Sequence, residues 1–274
     1  MTGRAFRFAV QATAQDHEQW LATARRTEEL GYSTLLMPDG MQLLSPLPAL
    51  AMAAGATGSL RVGTFVLASP LRPPRLAAWD AHTLSVLTGG RFELGIGTGL
   101  PQVAQQAADL LGQPAASGAE RLAQAEQTID DLRMLDGGQH TPVLMAAAGP
   151  RARAVAAAKA DIVTLAIGAL TDREEVARLA AQTRAAAGDR ADQIEFMLPI
   201  FAVGDEVPDW MQRFLQADPA ELVAHDSLMI LRGSVREMAD ELLRRRDALG
   251  ISYFSVNAGF SEQLAPVMEL LTGR

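Results

Sequence analysis

Reactive side chains are scarce in this sequence, and their spacing excludes most kinds of catalytic site. The chain has no cysteine and only four scattered histidines, which excludes thiolate nucleophiles, disulfides and the usual zinc ligand sets. No Ser-His-Asp set and no pair of catalytic carboxylates can be assembled from the remaining residues. We therefore predict no metal site and assign no catalytic acid or base. The charged residues that stand out are Asp39 and Arg151.

The segment Ala148-Gly149-Pro150-Arg151 connects an apolar run to a helical stretch and is typical of an anion-binding turn. Pro150 suits the first position of a helix, and Gly149 lets a ligand approach the backbone. Free N–H groups and the helix dipole attract negative charge at this point, and Arg151 adds to that attraction. A plain helix start with a solvated arginine is the alternative interpretation.

Two other turns follow apolar runs in the same way. Asp39 precedes Gly40, which is also the pattern of an ordinary turn or helix-capping aspartate. Gly97-Thr98-Gly99 lies between a predicted strand and a predicted helix, and its spacing does not match the G-x-G-x-x-G dinucleotide fingerprint. A tight strand-to-helix turn explains it equally well. A site this poor in ionisable groups favours a cofactor that carries its own reactivity.

Apolar, β-rich runs alternate with longer helical stretches along the chain. Near-continuous apolar strands are typical of a parallel sheet that helices cover. Eight strands alternating with helices in about 250 residues predict an α/β fold, a (β/α)8 TIM barrel, whose ligands bind at the carboxyl ends of the strands. A doubly wound open sheet is the alternative, because alternation does not reveal closure. The predicted strands are 6–11, 32–37, 61–68, 91–96, 143–148, 161–167, 194–203 and 251–256.

Capping patterns mark where helices begin and end. Ser234 and Glu237 form an S-x-x-E capping box at the start of a predicted helix, and Gly250 ends it. No linker rich in serine or glycine divides the chain, so residues 1–274 are predicted to form one domain. The helices discussed below are predicted at 16–30, 101–111, 119–135 and 234–249.

The amino-acid composition limits the kinds of molecule that this protein is expected to bind. The 274 residues include 24 Lys and Arg against 32 Asp and Glu, and the net charge of −8 argues against a nucleic-acid-binding surface. No apolar run approaches the roughly 18 residues that span a bilayer. The amino-terminal segment becomes polar at Gln11 and Thr13, unlike a signal peptide. We therefore expect a cytoplasmic protein that binds a small molecule rather than nucleic acid or a membrane.

Two expectations concern side chains outside the site. Trp20 and Trp79 are expected to pack in the core rather than to contact a cofactor. Arg244-Arg245-Arg246 is expected to be a solvated helix face, near the helix end where the dipole favours cations.

Five segments carry a resemblance to a known family. They are EELGYSTLLMPD at 28–39, RVGTFVLASPLRPP at 61–74, TLSVLTGGRFELGIGTG at 83–99, AAAGPRARAVAAAKADIV at 146–163 and GSVREMADELLRRRDALGISYFSV at 233–256. Through these segments the chain resembles the luciferase-like monooxygenase superfamily over nearly its whole length. The joined block TGGRFELGIGTG is quite specific, and the resemblance implies a (β/α)8 barrel enzyme.

The superfamily divides between enzymes that use reduced FMN with oxygen and enzymes that use the deazaflavin coenzyme F420 for hydride transfer. Three features resemble the F420 branch. Asp39 ends the second strand, Thr98 stands where bacterial luciferases have an arginine that holds the FMN phosphate, and AAAGP at 146–150 is similar to the AAGGP of that branch. The resemblance also implies a cis peptide bond between Phe65 and Val66, behind the cofactor ring. The cofactor site that it implies consists of Asp39, Phe65, Val66, Gly97, Thr98, Ala147, Ala148, Gly149, Pro150 and Arg151.

Positions that serve sugar-phosphate oxidation in the F420 branch differ in this chain. Histidine, tryptophan, glutamate and lysine are replaced there by Gly40, Leu44, Leu100 and Ala169. These replacements argue against a sugar-phosphate substrate. The connection between strands four and five is also predicted to be shortened relative to many family members, because residues 140–142 lead straight into strand five.

The resemblance implies an F420-dependent oxidoreductase that transfers a hydride to an electron-poor C=C or C=N bond of a small organic substrate. An FMN-dependent luciferase-like monooxygenase and a catalytically degenerate cofactor-binding barrel are the alternatives.

Assembly is a further implication of the resemblance. Superfamily members commonly pair through helices near strands two and three, and here 46–58 and the start of 72–88 are rich in proline and small residues. We expect a homodimer through these helices. A monomer whose helices simply pack on their own barrel is the alternative.

Overall fold

The computed structural model describes residues 4–204 and 206–273, without the side chain of Arg213. Within these residues, a strand forms in each segment where the sequence predicts one. Residues 1–3, 205 and 274 of the predicted domain lie outside this description. The strands are β1 (Arg7–Gln11), β2 (Thr34–Met37), β3 (Arg61–Thr64), β4 (Leu67–Ala68), β5 (Phe92–Gly97), β6 (Val143–Ala147), β7 (Ile162–Leu165), β8 (Glu195–Ile200), β9 (Ala202–Val203), β10 (Ile230–Leu231) and β11 (Ile251–Asn257).

The main sheet closes on itself. Its strands pair in parallel in the order β3-β2-β1-β11-β8-β7-β6-β5-β4, and a further pairing of β3 with β5 completes the ring. This closure confirms the predicted (β/α)8 barrel and excludes the doubly wound open sheet. The strands β9 and β10 form a separate two-stranded sheet beside the barrel.

The third barrel strand is divided in two. The peptide bond between Phe65 and Val66 is cis, and it separates β3 from β4. This confirms the cis bond that the family resemblance implies at this position. The predicted continuous strand 61–68 therefore appears as two segments that both pair with β5.

Helices surround the barrel and begin where the sequence offers a cap. Ser234 accepts from the backbone N–H of Glu237, which completes the predicted capping box, and Gly250 ends that helix at φ +70°. The helices are α1 (His17–Glu29), α2 (Pro46–Gly55), α3 (Pro74–Leu87), α4 (Pro101–Leu111), α5 (Gly118–Asp136), α6 (Pro150–Lys159), α7 (Arg173–Ala187), α8 (Asp209–Leu215), α9 (Pro219–Ala224), α10 (Val235–Leu249) and α11 (Ser261–Leu271), with 3₁₀ turns at Ser69–Leu71, Gly188–Gln193 and Ala258–Phe260.

The apolar core has two layers, because side chains alternate across each strand. The outer layer lies between the strands and the helices. The inner layer fills the barrel, and Phe65 and Val66 pack against it. Among the described residues, no helix combines the length and apolarity needed to cross a membrane. The inner layer is formed by Ala9, Leu36, Leu144, Ile162, Met197 and Tyr253.

The amino-terminal end of the barrel is closed by charges. Glu93 accepts from the guanidinium groups of both Arg7 and Arg61, and Glu195 pairs with Arg7 at 2.7 Å. The hydroxyl of Tyr253 donates to Glu93 at 3.4 Å. Burial raises the pKa of Glu195, although Arg7 opposes that shift. The carboxylates and guanidinium groups of this network pair with one another. Barrels of this class bind their ligands at the opposite, carboxyl end.

Two expectations about individual side chains are wrong. Trp79 is 60% exposed, because α3 buries the alanine and leucine positions on its opposite face. Arg245 is 1% exposed, since its guanidinium donates to the carbonyls of Leu228 and Ile230 and to Glu241. Trp20 is buried as predicted, and its indole N–H donates to a backbone carbonyl of α2.

Candidate active site at the carboxyl ends of the strands

Neighbouring strand ends bring several of the predicted cofactor residues together. The carboxylate of Asp39, after β2, accepts the backbone N–H of Ala68 in β4 at 3.0 Å. Ala68 lies opposite Gly97 in β5. A Cβ placed on Gly97 would lie 3.6 Å from the Cβ of Ala146 in β6. Four successive barrel strands therefore converge on one mouth.

Asp39 is held by a partner that the sequence does not reveal. The guanidinium of Arg72 donates hydrogen bonds to both carboxylate oxygens, to Oδ2 at 2.6 Å and to Oδ1 at 3.2 Å. The side chain of Asp39 is 3% exposed. With the N–H of Ala68 added, the carboxylate accepts three hydrogen bonds. Asp39 therefore fastens the loop after β2 to the loop after β4, and its carboxylate is not a free acid or base.

Glycines in β5 make room for the divided strand. A Cβ on Gly95 would lie 1.8 Å from the carbonyl oxygen of Thr64, and one on Gly97 would lie 2.8 Å from Cγ2 of Val66. The hydroxyl of Thr64 donates to the carbonyl of Gly95 at 2.6 Å. Gly95 and Gly97 thus allow β3 and Val66 to approach β5 closely. From the spacing of the glycines alone, a tight turn was the plain explanation.

The turn after β5 carries a guanidinium from a distant helix. Arg121 in α5 donates through Nε to the carbonyl of Thr98 at 2.8 Å and through Nη1 to the carbonyl of Ala116. Gly99 follows at φ +65°, a conformation that favours glycine. The side chain of Thr98 itself makes only a 3.5 Å contact with a neighbouring carbonyl. Sequence reasoning missed Arg121, because no local pattern links it to residue 98.

The start of α6 is open, as an anion site requires. A Cβ on Gly149 would meet no atom within 4 Å, and the helix has no side-chain cap. Pro150 occupies the first turn, as predicted. Arg151 is exposed, and among the described residues no hydrogen bond or ion pair is found for it, whereas Arg153 donates to the carbonyl of Ala148 at 2.6 Å. Ala147 is buried as the last residue of β6.

The inward-facing residues near the mouth are neutral. Gln11 donates through Nε2 to the hydroxyl of Ser255 at 2.6 Å, which ties β1 to β11. Thr164 in β7 is buried, and Asn257 ends β11 and accepts from the N–H of Gly259. Alternation along β1 and β11 could have identified Gln11 and Ser255 as inward-facing residues.

Very few charges lie at the mouth. Taking β4 as the end of the third barrel strand, the four described residues that follow each barrel strand include only three ionisable side chains in all. Asp39 and Arg72 neutralise one another. Arg151 remains. Such a mouth suits an anionic group at the start of α6, and the described residues that directly follow the barrel strands include no unpaired carboxylate, histidine or lysine.

Sequence comparisons connect the chain to a family of enzymes. The family model described as luciferase-like monooxygenase matches residues 4–217. A Mycobacterium tuberculosis protein provisionally named a coenzyme F420-dependent oxidoreductase is 34% identical over 93 residues, which is 33% of this chain and 25% of that protein. At 27% identity, the chain spans 53% of the length of the first curated relatives it matches.

Solved structures that resemble this fold bind different cofactors or substrates. An F420-dependent secondary alcohol dehydrogenase in complex with an F420-acetone adduct superposes with a TM-score of 0.73 at 15% identity, over 98% of each chain. EDTA monooxygenase from Chelativorans sp. BNC1 superposes with a TM-score of 0.74 at 13% identity, over 98% of this chain and 94% of that one. At such identities the likeness concerns the fold alone.

The family model, in contrast, covers well over half of the chain and includes β1 to β9 with the whole set of predicted cofactor residues. The closed parallel barrel and its solved relatives agree with that match. The chain therefore belongs to the luciferase-like monooxygenase family.

Proposed function

We propose that this protein is a cytoplasmic oxidoreductase that uses reduced coenzyme F420 to reduce an electron-poor C=C or C=N bond of a small organic substrate. One observation carries the proposal: among the described residues that directly follow the barrel strands, Arg151 is the one charged side chain for which no hydrogen bond or ion pair is found, and it lies at the open start of α6. That arrangement suits a cofactor phosphate, and the neutral lining suits chemistry that a cofactor brings with it. The provisionally named F420-dependent relative supports the choice of cofactor.

The residues at the mouth fit such a cofactor. The free space at Gly149 admits an anion close to the backbone, where the uncapped N–H groups of the first turn donate to it and Arg151 adds charge. Phe65 and Val66 would form the wall beside the ring, and Gly97 contributes no side chain to that space. When bound, reduced F420 supplies a hydride.

The remaining groups at the mouth position the substrate rather than move its proton. The amide of Gln11 and the hydroxyl of Ser255 offer neutral hydrogen bonds. Both oxygens of the Asp39 carboxylate already accept hydrogen bonds from Arg72. Solvent then supplies the proton that completes the reduction.

An FMN-dependent monooxygenase is the second candidate, and Arg121 favours it. By the resemblance, bacterial luciferases hold the FMN phosphate with an arginine at the turn after β5, where this chain has Thr98. Arg121 brings a guanidinium to the same turn from α5, and two of its nitrogens already donate to backbone carbonyls. The fold shared with EDTA monooxygenase agrees with this candidate.

Titration of the protein with each reduced cofactor tests the proposal. We expect reduced F420 to bind at least about tenfold more tightly than reduced FMN, a difference of about 1.4 kcal/mol. Fluorescence under anaerobic conditions measures both affinities. Equal affinities or a preference for FMN would reject the F420 assignment. Tight F420 binding without reduction of any electron-poor alkene or imine would favour the degenerate cofactor-binding barrel.

We also propose a homodimer through α2 and α3. These helices expose Met52, Leu76, Trp79 and Leu87, and a cavity of about 300 Å³ lies between them. Paired copies would remove this apolar surface from water. Light scattering at micromolar concentration is expected to give a mass near two chains, and Ala51→Glu, in the wall of the cavity, is expected to give one. A single-chain mass for the unaltered protein would reject the dimer.

A further inference from the structure

The hydroxyl of Thr164 differs from the other buried hydroxyls that the structure describes. Thr164 is the third residue of β7 and is 4% exposed. Every other buried serine or threonine side chain in the described part of the chain takes part in a hydrogen bond, whereas none is found for Thr164. Among the described residues, the side-chain atoms that are both sealed from solvent and without a hydrogen bond belong to Gln124 and Arg173. The Thr164 oxygen therefore still touches solvent-accessible space.

The side chain of Thr164 faces the inside of the barrel near the carboxyl end. Ile162, two residues earlier, belongs to the inner layer of the core, while Val163 and Leu165 belong to the outer layer. Side chains alternate along a strand, so Thr164 lies on the same side as Ile162 and one layer closer to the mouth. The hydroxyl is therefore on the side of the proposed cofactor site and not on the side of the surrounding helices.

The barrel wall beside Thr164 consists of small residues. Ala146 in β6 is the register partner of Thr164, and a Cβ on Gly97 in β5 would lie 3.6 Å from the Cβ of Ala146. Neighbouring strands are about 4.8 Å apart, so the wall from Gly97 to Thr164 extends about 10 Å. Ala146 is partly exposed, and Ala148 and Ala166, one layer nearer the opening, are exposed. This wall is thus open from the mouth down to Thr164 and leaves room for a flat ligand.

A buried hydroxyl without a protein partner lowers the stability of a fold. Taking such a group out of water costs free energy unless a hydrogen bond replaces its hydration. Valine has nearly the same shape and also favours strands, so packing alone does not require threonine at position 164. By contrast, the amide of Gln11 and the hydroxyl of Ser255 satisfy one another. A ligand that accepts a hydrogen bond from Thr164 explains why a hydroxyl stands there.

We propose that Thr164 is a ligand-binding residue of the mouth, and that its hydroxyl donates a hydrogen bond to a carbonyl oxygen of a planar ligand. The carbonyl belongs to the ring of the cofactor or to the substrate. The ring is the expected source, because Gly97, at the far end of the wall, adjoins Val66, where the ring is proposed to lie. F420 and FMN both carry carbonyl groups at the edge of the ring. The inference rests on the proposed function only for the location of that ring.

Binding measurements on hydroxyl variants test the proposal. Thr164→Val is expected to weaken binding of reduced F420 about fivefold, the loss typical of one hydrogen bond, and Thr164→Ser to restore it to within about twofold. Thr183→Val is the matched control, because this buried threonine of α7 donates to the carbonyl of Leu179, outside the barrel. Thermal melts are expected to show a lower melting temperature for Thr183→Val but not for Thr164→Val.

A vibrational measurement reports on the contact itself. A hydrogen bond to a carbonyl oxygen lowers the stretching frequency of the C=O bond. Infrared difference spectra of bound F420 are therefore expected to show a higher ring-carbonyl frequency in Thr164→Val than in the unaltered protein, and the original frequency in Thr164→Ser. A merely structural role of Thr164 would leave this frequency unchanged.

A second ligand separates the two sources of the carbonyl. Cyclohex-2-en-1-one is titrated calorimetrically into the complex with oxidised F420, which binds the enone without reducing it. Enone binding that weakens about fivefold in Thr164→Val, with cofactor affinity unchanged, would assign the carbonyl to the substrate. Unchanged cofactor affinity together with unchanged or undetectable enone binding would overturn the proposal.

The same measurements separate this inference from the proposed function. Tighter binding of FMN than of F420, with the FMN affinity reduced in Thr164→Val, would reject the F420 reductase and keep the role of Thr164. F420-dependent reduction that is unaltered in Thr164→Val, with unchanged cofactor and enone affinities, would keep the reductase and reject the role of Thr164. Binding of neither cofactor would reject both.

Discussion

The two ends of the barrel are built from opposite kinds of side chain. At the amino end, Glu93 joins Arg7 and Arg61, and Glu195 pairs with Arg7. At the carboxyl end the inward-facing groups are neutral, as in the hydrogen bond between Gln11 and Ser255. Among the described residues, charged groups therefore join the strands at the amino end of the barrel, whereas neutral groups face inward at the carboxyl end, where barrels of this class bind ligands.

This difference shows where the arginines of the chain are used. Near the amino end, arginine side chains also donate to carbonyls at the ends of helices: Arg91 to that of Ala54 in α2, and Arg190 to those of Ala157 and Ala160 at the end of α6. Arg91 donates in addition to the carbonyl of Leu60, directly before β3. Such contacts satisfy groups that a helix end leaves without partners. At the carboxyl end Arg72 and Arg121 are used structurally as well, whereas no partner is found for Arg151 among the described residues.

The largest effect is expected from Glu93→Gln, which should destabilise the amino end without altering the mouth. Two guanidinium groups lose their shared carboxylate, which costs about 3 kcal/mol in the free energy of unfolding. Denaturant titration measures that loss, and Glu29→Gln, in an exposed ion pair, is the control with an expected change below about 0.5 kcal/mol. Cofactor affinity of the folded Glu93 variant should remain unchanged; a large loss would mean that the two ends are coupled.

Two glycines at the carboxyl end should respond in opposite ways. In Gly149→Val the side chain enters open space, so the melting temperature is kept while most cofactor affinity is lost. In Gly95→Ala the new methyl group meets the carbonyl of Thr64, so the fold is destabilised by about 1–3 kcal/mol or more. Thermal melts and calorimetry separate the two outcomes. Normal cofactor binding by Gly149→Val would locate the phosphate elsewhere.

A smaller effect is expected from Arg151→Ala. Loss of one partly solvated charged contact should weaken cofactor binding by about 1–2 kcal/mol, roughly fivefold to thirtyfold, with no change in stability. Arg25→Ala removes an exposed arginine on α1 and is the control for the change in net charge. If both variants weaken cofactor binding equally, Arg151 acts through the net charge of the protein and not through a direct contact with the cofactor.

The smallest effect is expected from pH at the amino end. Hydrogen bonds from the backbone N–H of Ser59, and then of Leu60 and Gly58, lower the pKa of Glu28 from 4.5 to about 2. The unfolded state binds the proton more readily, so this stabilisation is present above pH 4.5 and is lost as the pH falls toward 2. Discounted for solvent screening, it amounts to about 1 kcal/mol.

Glu28→Gln should therefore lower stability at pH 7 and flatten the dependence of stability on pH over that interval. Denaturant titrations at several pH values measure it, and Glu18→Gln on the same helix is the control. A variant curve that stays parallel to that of the unaltered protein would contradict the assigned role of Glu28.

The sequence predicted the fold more completely than the site. Eight apolar runs and the capping box at Ser234 were enough for the elements, because burial on both faces and cap chemistry act locally. Closure of the ring, however, depends on the pairing of β3 with β5, which no local pattern encodes. The cis bond between Phe65 and Val66 came from the resemblance to a family and not from the residues themselves.

Sequence alone determined which residue types stand at the strand ends: the glycines, the neutral amides and hydroxyls, and Arg151 at the start of a helix. The tertiary structure decided their partners. It paired Asp39 with Arg72, brought Arg121 to the turn at Thr98, and buried Arg245 against backbone carbonyls. The physical reason is that hydrogen bonds and ion pairs act over a few ångströms in space, between residues that can be far apart in the sequence.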